Sequence, residues 1–158
     1  MTGPMSPDTK KSFLSILDGA PDLTVATNRA DGFPQATVVS FVHDDGVIYF
    51  GCDAGSQKAQ NIADDERVSV TVTPPFDDWN NIRGISMGAR AKRVTDEKER
   101  FHVMELMLKR FPQVIDFVKT GEMDDTAVFR IEPEVVSILD YAKGFGHSEL
   151  HAAPDKAA

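Results

Sequence analysis

Val68, Val70 and Val72 alternate with Arg67, Ser69 and Thr71, the period-two pattern of a strand with one buried face. Similar runs rich in β-branched and aromatic residues fall over 23–28, 33–42, 47–50, 81–94, 126–131 and 135–141, so the chain reads as about six or seven strands. Arg29-Ala30-Asp31-Gly32 and Asp44-Asp45-Gly46 supply hairpin turns, since glycine after aspartate accepts the positive φ of a tight turn. Pro74 and Pro75 force a loop, because neither can donate to a ladder. Gly84 and Gly88, inside the 81–94 strand, mark a bulge or a close backbone approach.

Four helices are predicted. Phe13, Leu14 and Leu17 predict a helix over 10–18, ended by Gly19 and Pro21. A short helix is predicted over 56–63. A longer one over 97–111, capped by Thr95 or Asp96, carries Phe101, Met104, Leu108 and Phe111 as its apolar stripe, and 112–119 reads as a further helix. Residues 1–9 read as a disordered segment, 10–151 as one domain and 152–158 as a loose tail.

Successive strands joined by tight turns favour an antiparallel sheet that curls or closes. Neither a dinucleotide-binding glycine fingerprint nor a P-loop is present, which disfavours a doubly wound parallel sheet. The 158 residues suit one core. A net charge of −8 repels nucleic acid and anionic lipid. No run has the ~20 apolar residues of a membrane span, and the N-terminus lacks the apolar centre of a signal peptide. Cys52 is the only cysteine, which fits a cytoplasmic location.

The stretch Gly51-Cys52-Asp53-Ala54-Gly55-Ser56-Gln57-Lys58-Ala59-Gln60-Asn61-Ile62 carries the clearest chemistry. A strand opens into a glycine-bearing loop that runs into a helix start bearing a hydroxyl and an ammonium. Free backbone N–H groups there, with Ser56 and Lys58, make a seat for a phosphate. Lys58 also reads as an ordinary exposed helix lysine, and Asn61 as either a cofactor contact or a local cap. Trp79, the only tryptophan, is either a stacking residue or a plug beneath the proline loop. Gly144 and Gly146 flank Phe145 in a loop that reaches His147, so Trp79, Phe145 and His147 are the substrate-pocket candidates. The four histidines lack metal-ligand spacing, and no catalytic side chain stands out.

The ordered set Asp31-Gly32-Phe33-Pro34-Gln35-Ala36-Thr37-Val38-Val39, Val47-Ile48-Tyr49-Phe50-Gly51, Gly55-Ser56-Gln57-Lys58-Ala59, Arg67-Val68-Ser69-Val70 and Gly88-Ala89-Arg90-Ala91 resembles the pyridoxamine 5′-phosphate oxidase-like FMN-binding split-barrel family, nearest to its general-stress flavoproteins. The resemblance implies a mainly β fold with flanking helices, a six-stranded antiparallel split β-barrel of Greek-key type. It implies a homodimer with FMN at the interface. It places Thr37, Val38 and Val39 along the flavin edge, Phe50 and Gly51 near the ribityl-phosphate arm, Ser56, Gln57 and Lys58 at the phosphate, and Asn61, Arg83 and Tyr141 nearby. Departures matter: Gln57 and Ala36 stand where the oxidases usually have arginine, Phe41 stands at their substrate lysine, and Glu149-Leu150-His151 replaces an Arg-x-His element. The resemblance therefore implies an FMN-dependent oxidoreductase on an unknown small molecule, not a true pyridoxamine phosphate oxidase. Alternatives are a non-catalytic FMN-binding or sensing protein, or a binder of deazaflavin F420 or haem on the same fold.

Overall fold

The computed structural model describes residues 3–153. The chain order is α1 (Pro7–Gly19), β1 (Asp22–Asn28), β2 (Pro34–Asp44), β3 (Val47–Asp53), α2 (Gln57–Asp64), β4 (Arg67–Val72), β5 (Arg83–Arg93), α3 (Glu97–Arg110), α4 (Val114–Lys119), β6 (Thr126–Asp140) and β7 (Ser148–Ala152), with single 3₁₀ turns at Trp79–Asn81 and Tyr141–Lys143. All strand pairs are antiparallel, in the order β3-β2-β1-β4-β5-β6-β7, and β3 also pairs with β6. That last pairing closes six strands into the split barrel the sequence implied, and leaves β7 outside it. No described helix is long and apolar enough to cross a membrane.

Period-two burial builds the interior. Val25 of β1, Val70 of β4, Met87 of β5 and Val136 of β6 lie in one cross-strand row and are all buried. Phe13, Ile16 and Leu17 of α1 join this core. A smaller apolar cluster lies between α3 and the outside of the barrel, where Val103 packs with Val42, Tyr49 and Val94.

Several elements differ from the sequence reading. The first helix starts at Pro7 rather than residue 10, because Ser6 caps it by accepting from the Thr9 amide and proline suits a first turn. Gly3 accepts a backbone bond from Ala152, the last residue of β7, so described parts of 1–9 and of the tail are tied together. The remaining residues of the two terminal segments lie outside the described residues. The two strands expected over 126–131 and 135–141 are one continuous strand. Pro133 is tolerated because it pairs with Ala89 where the register shifts between Gly88 and Ala89, at the bulge expected around Gly88. On α3 the stripe is rotated: Val103 is buried, whereas Phe101 is 66% exposed. The Asp45-Gly46 turn is as expected, with φ of 47° and 91°.

Candidate functional site

The barrel is split because β2 changes partners poorly. It pairs with β1 over Pro34–Ser40 but with β3 only over Phe41–Asp44. The outer edge of residues 34–40 therefore has no strand partner among the described residues. β3 leaves β2 at Phe50, continues along β6 to Asp53, and turns into α2. The free edge, the end of β3 and the start of α2 border a wedge, and these three segments carry eight of the predicted cofactor residues.

Side chains in this wedge divide by facing. Val38 points outward and is 65% exposed. Val39 is buried in the core, and the Thr37 hydroxyl is buried with no hydrogen-bond partner. Phe50 also faces inward, its ring 5.4 Å from that of Phe129, so only its backbone borders the wedge. Gly51 is exposed at the strand end. A Cβ there would lie 3.0 Å from Thr126 Cγ2, so glycine allows β3 and β6 to meet.

At the helix start, Ser56 Oγ accepts from the Ala59 amide at 3.2 Å and donates to Cys52 Sγ at 3.6 Å. Cys52 is half-buried against the core, as expected of a small hydrophobe. Asp53 Oδ1 takes the Gly55 amide at 2.8 Å, so that carboxylate already occupies part of the loop. Asn61 is buried and fully engaged. It donates to Thr27 Oγ1 at 3.0 Å and to Gln35 Oε1 at 3.2 Å, and accepts from Gln57 Nε2 at 2.8 Å. It is thus neither a local cap nor open to a ligand, and it holds Gln57 in place. Lys58 is half-buried and makes no hydrogen bond or ion pair among the described residues. The helix start thus offers one uncommitted cation beside unpaired amides, an arrangement suited to a phosphate.

The other predicted residues gather elsewhere. Trp79 and Phe145 stack at 6.3 Å, and Tyr141 meets Phe145 edge-on at 5.3 Å. Trp79 is 65% and Phe145 83% exposed, which makes a wet aromatic platform rather than a plug under a loop. His147 Nε2 lies 2.9 Å from Glu149 Oε1, which Lys143 also contacts. Those two partners hold the Glu149 carboxyl below its ordinary pKa. Arg83 donates to Ser15 Oγ on α1.

The two groups are far apart in one chain. Arg93 and Phe50 both pair with Phe129, whereas Arg83 pairs with Asp140 beside the platform. The ten-residue step along β5 spans ~33 Å at a strand's rise per residue. The sequence reading missed two features here. Asp53 carried no signal beyond its place in the loop. A cleft of about 310 Å³ beneath α3, lined in part by Arg100 and Met104, was hidden because Met104 was read as core.

No curated protein matches the sequence. Among solved structures, the heme binding protein from Mycobacterium smegmatis superposes with TM-score 0.78 at 17% identity, covering 94% of this chain and 59% of that one. This chain thus spans little more than half of that protein. A conserved hypothetical protein from Mycobacterium tuberculosis gives TM-score 0.75 at 25% identity, over 88% of this chain and 87% of that one. The heme storage protein HutZ from Vibrio cholerae gives 0.66 at 18%, over 90% and 93%. These likenesses concern the fold. The sequence itself matches the family model described as pyridoxamine 5′-phosphate oxidase over residues 9–140, and with the closed barrel and its split this places the chain in the pyridoxamine 5′-phosphate oxidase family.

Proposed function

We propose that this protein is an FMN-binding homodimer that acts as an oxidoreductase on a small molecule. The observation that carries the reading is the uncommitted Lys58 at the α2 start, across the wedge from the unpaired edge of β2. Lys58 and the first amides of α2 would hold the phosphate. The free backbone edge at Thr37–Val39 would bond the polar rim of the flavin, with the orphaned Thr37 hydroxyl as a further partner. When bound, FMN supplies the redox chemistry, and the protein supplies position and electrostatics.

A second copy completes the site under this reading. The aromatic platform and Arg83 are too distant to reach their own chain's Lys58, so they would serve the wedge of the partner. The outer barrel face supports such pairing. Val38, Thr24, Thr71, Ser86, Ser137 and Leu150 form one cross-strand row on it, and the neighbouring row runs from Ala36 to Ala152 through Ala26, Ser69, Gly88 and Val135. Neither row contains a charge. Phe41 at the oxidases' substrate lysine and Glu149 in place of the arginine of their Arg-x-His element argue against a phosphorylated vitamin as substrate. The single cysteine suits a reducing cytoplasm.

Titration of the purified protein with FMN, followed by flavin fluorescence, tests the reading. Saturable binding, and bleaching of the flavin band on adding NADH or NADPH, supports an oxidoreductase. Binding without bleaching by any donor supports a sensing protein, and no binding overturns both. Deazaflavin F420 would use the same phosphate seat and is distinguished by its own spectrum.

Haem is the second reading, favoured by the names of the Mycobacterium smegmatis and Vibrio cholerae proteins. His147 is the candidate iron ligand. Its Nε2 is held by Glu149, so haem binding would have to break that pair. A Soret band after haemin addition, lost in His147→Ala, would support it.

A further inference from the structure

The cleft beneath α3 is separate in its chemistry from the phosphate seat. Its volume is about 310 Å³, and its wall is mainly apolar, with Met104 and Met107 on α3, Met123 before β6 and Val128 on β6. This size lies at the small end of ligand pockets. Methionine side chains are unbranched and polarizable, so such a wall adapts to a flat apolar body. Phe101 stands at the rim with most of its ring in solvent, an expensive position for a phenyl group with nothing to cover.

The wall holds one basic group, Arg100, which shares with Arg83, Arg93 and Arg110 the lack of a carboxylate partner among the described residues. Arg29, Arg67, Arg90 and Arg130 each close on a carboxylate. Arg100 is half-buried and does not. Among the described residues its guanidinium reaches only the carbonyls of Val94 at 3.5 Å and Thr126 at 3.4 Å, both long contacts. Glu97 lies one turn earlier at the rim and makes no ion pair with it. A guanidinium with most of its donors uncommitted, set in an apolar wall, favours a planar anion that can take two parallel N–H bonds.

We propose that this cleft binds a small aromatic carboxylate, its ring among the methionines and its carboxylate on Arg100. The inference does not rest on the flavin reading, although Phe50 and Gly51 border both places.

Calorimetric titration of the full chain with 2-naphthoate and its neutral isostere 2-naphthamide tests it. The acid is expected to bind at least about tenfold more tightly than the amide, a difference of ~1.4 kcal/mol. Arg100→Gln should erase that preference while leaving the secondary structure unchanged. Met104→Trp should fill the cleft and weaken both ligands. Equal affinity for acid and amide, undiminished binding in Met104→Trp, or no heat from either ligand at millimolar concentration would overturn the proposal. Saturating FMN should not alter naphthoate affinity. Competition would assign the cleft to the cofactor site and end the proposal, whereas naphthoate binding by a protein that ignores FMN would uphold it and sink the flavin reading.

Discussion

Asn61 Nδ2 donates to Thr27 Oγ1 at 3.0 Å, and both residues are almost wholly buried. This bond fixes the roll of α2 against β1, and through Gln57 it reaches the helix start. Asn61→Ala should remove ~1–3 kcal/mol, since Thr27 and Gln35 both lose a buried donor. Urea unfolding checks this. In the double variant with Thr27→Val the loss should be smaller than the sum of the two single losses, because no hydroxyl is then left unpaired.

Lys58 has no partner among the described residues, so its removal should leave folding almost untouched. If it holds a phosphate, Lys58→Ala loses a charge-assisted hydrogen bond of ~1.5–3 kcal/mol. That corresponds to roughly a ten- to hundredfold rise in the Kd for FMN. Riboflavin, which lacks the phosphate, should bind the variant and the parent alike. Equal losses for both flavins would place the phosphate elsewhere.

The Arg110 guanidinium lies 4.6 Å from the ring centre of Phe41 and donates to the carbonyls of Leu17 and Ala20. A residue at the end of α3 thus closes the end of α1. Burial lowers its pKa, opposed by Asp18, without approaching neutrality in any ordinary buffer. Arg110→Met should cost ~1–3 kcal/mol through the lost bonds to the helix end. Arg110→Lys should not restore it, because an ammonium cannot span two carbonyls while stacking on a ring. Hydrogen exchange should show faster opening of the α1 end in both variants.

The barrel was legible because its code is local. The alternation of Val68, Val70 and Val72 and the Asp45-Gly46 turn each settle their own element. The start of α2 was legible for the same reason, since the cap that Ser56 forms on the Ala59 amide needs only the next three residues. The single strand through Pro133 was not legible, because its tolerance depends on a register shift on another strand, at Gly88 and Ala89. Phe101 was misread because α3 packs on the barrel's outside, where Tyr49 and Val42 choose the buried side. Asn61 is the clearest case. An asparagine in a short polar helix gives no sign that Thr27, thirty-four residues earlier, completes it.

Tyr49 provides a pH test. Burial, together with the Glu99 carboxylate that accepts its hydroxyl at 3.1 Å, pushes its pKa up to about 12. In the unfolded chain a tyrosine ionises near ~10. Between those values the unfolded state has lost the proton and the folded state keeps it, so this group's contribution falls as pH rises. It is fully present below the unfolded pKa and lost on passing through the folded one. Tyr49→Phe should therefore show a shallower decline in stability than the parent over that alkaline window. Parallel curves in urea melts at successive pH values would refute the assignment.

The outer face of the barrel makes the strongest demand on assembly. Thr71 and Ser86 are directly paired, exposed and flanked by Thr24 and Ser137 in a row without charge. An arginine at either position should hardly disturb the fold, because both side chains point away from the core. In a homodimer built on this face, Ser86→Arg would bury two unpaired cations near the centre of the contact. Buried charge without a partner is strongly unfavourable, so sedimentation should show the parent as a dimer and the variant as a monomer of unchanged secondary structure. The same variant should lose FMN affinity if the aromatic platform reaches the wedge only across the interface. A monomeric variant that keeps full affinity would mean that one chain suffices, and that Trp79 and Phe145 serve something other than the flavin.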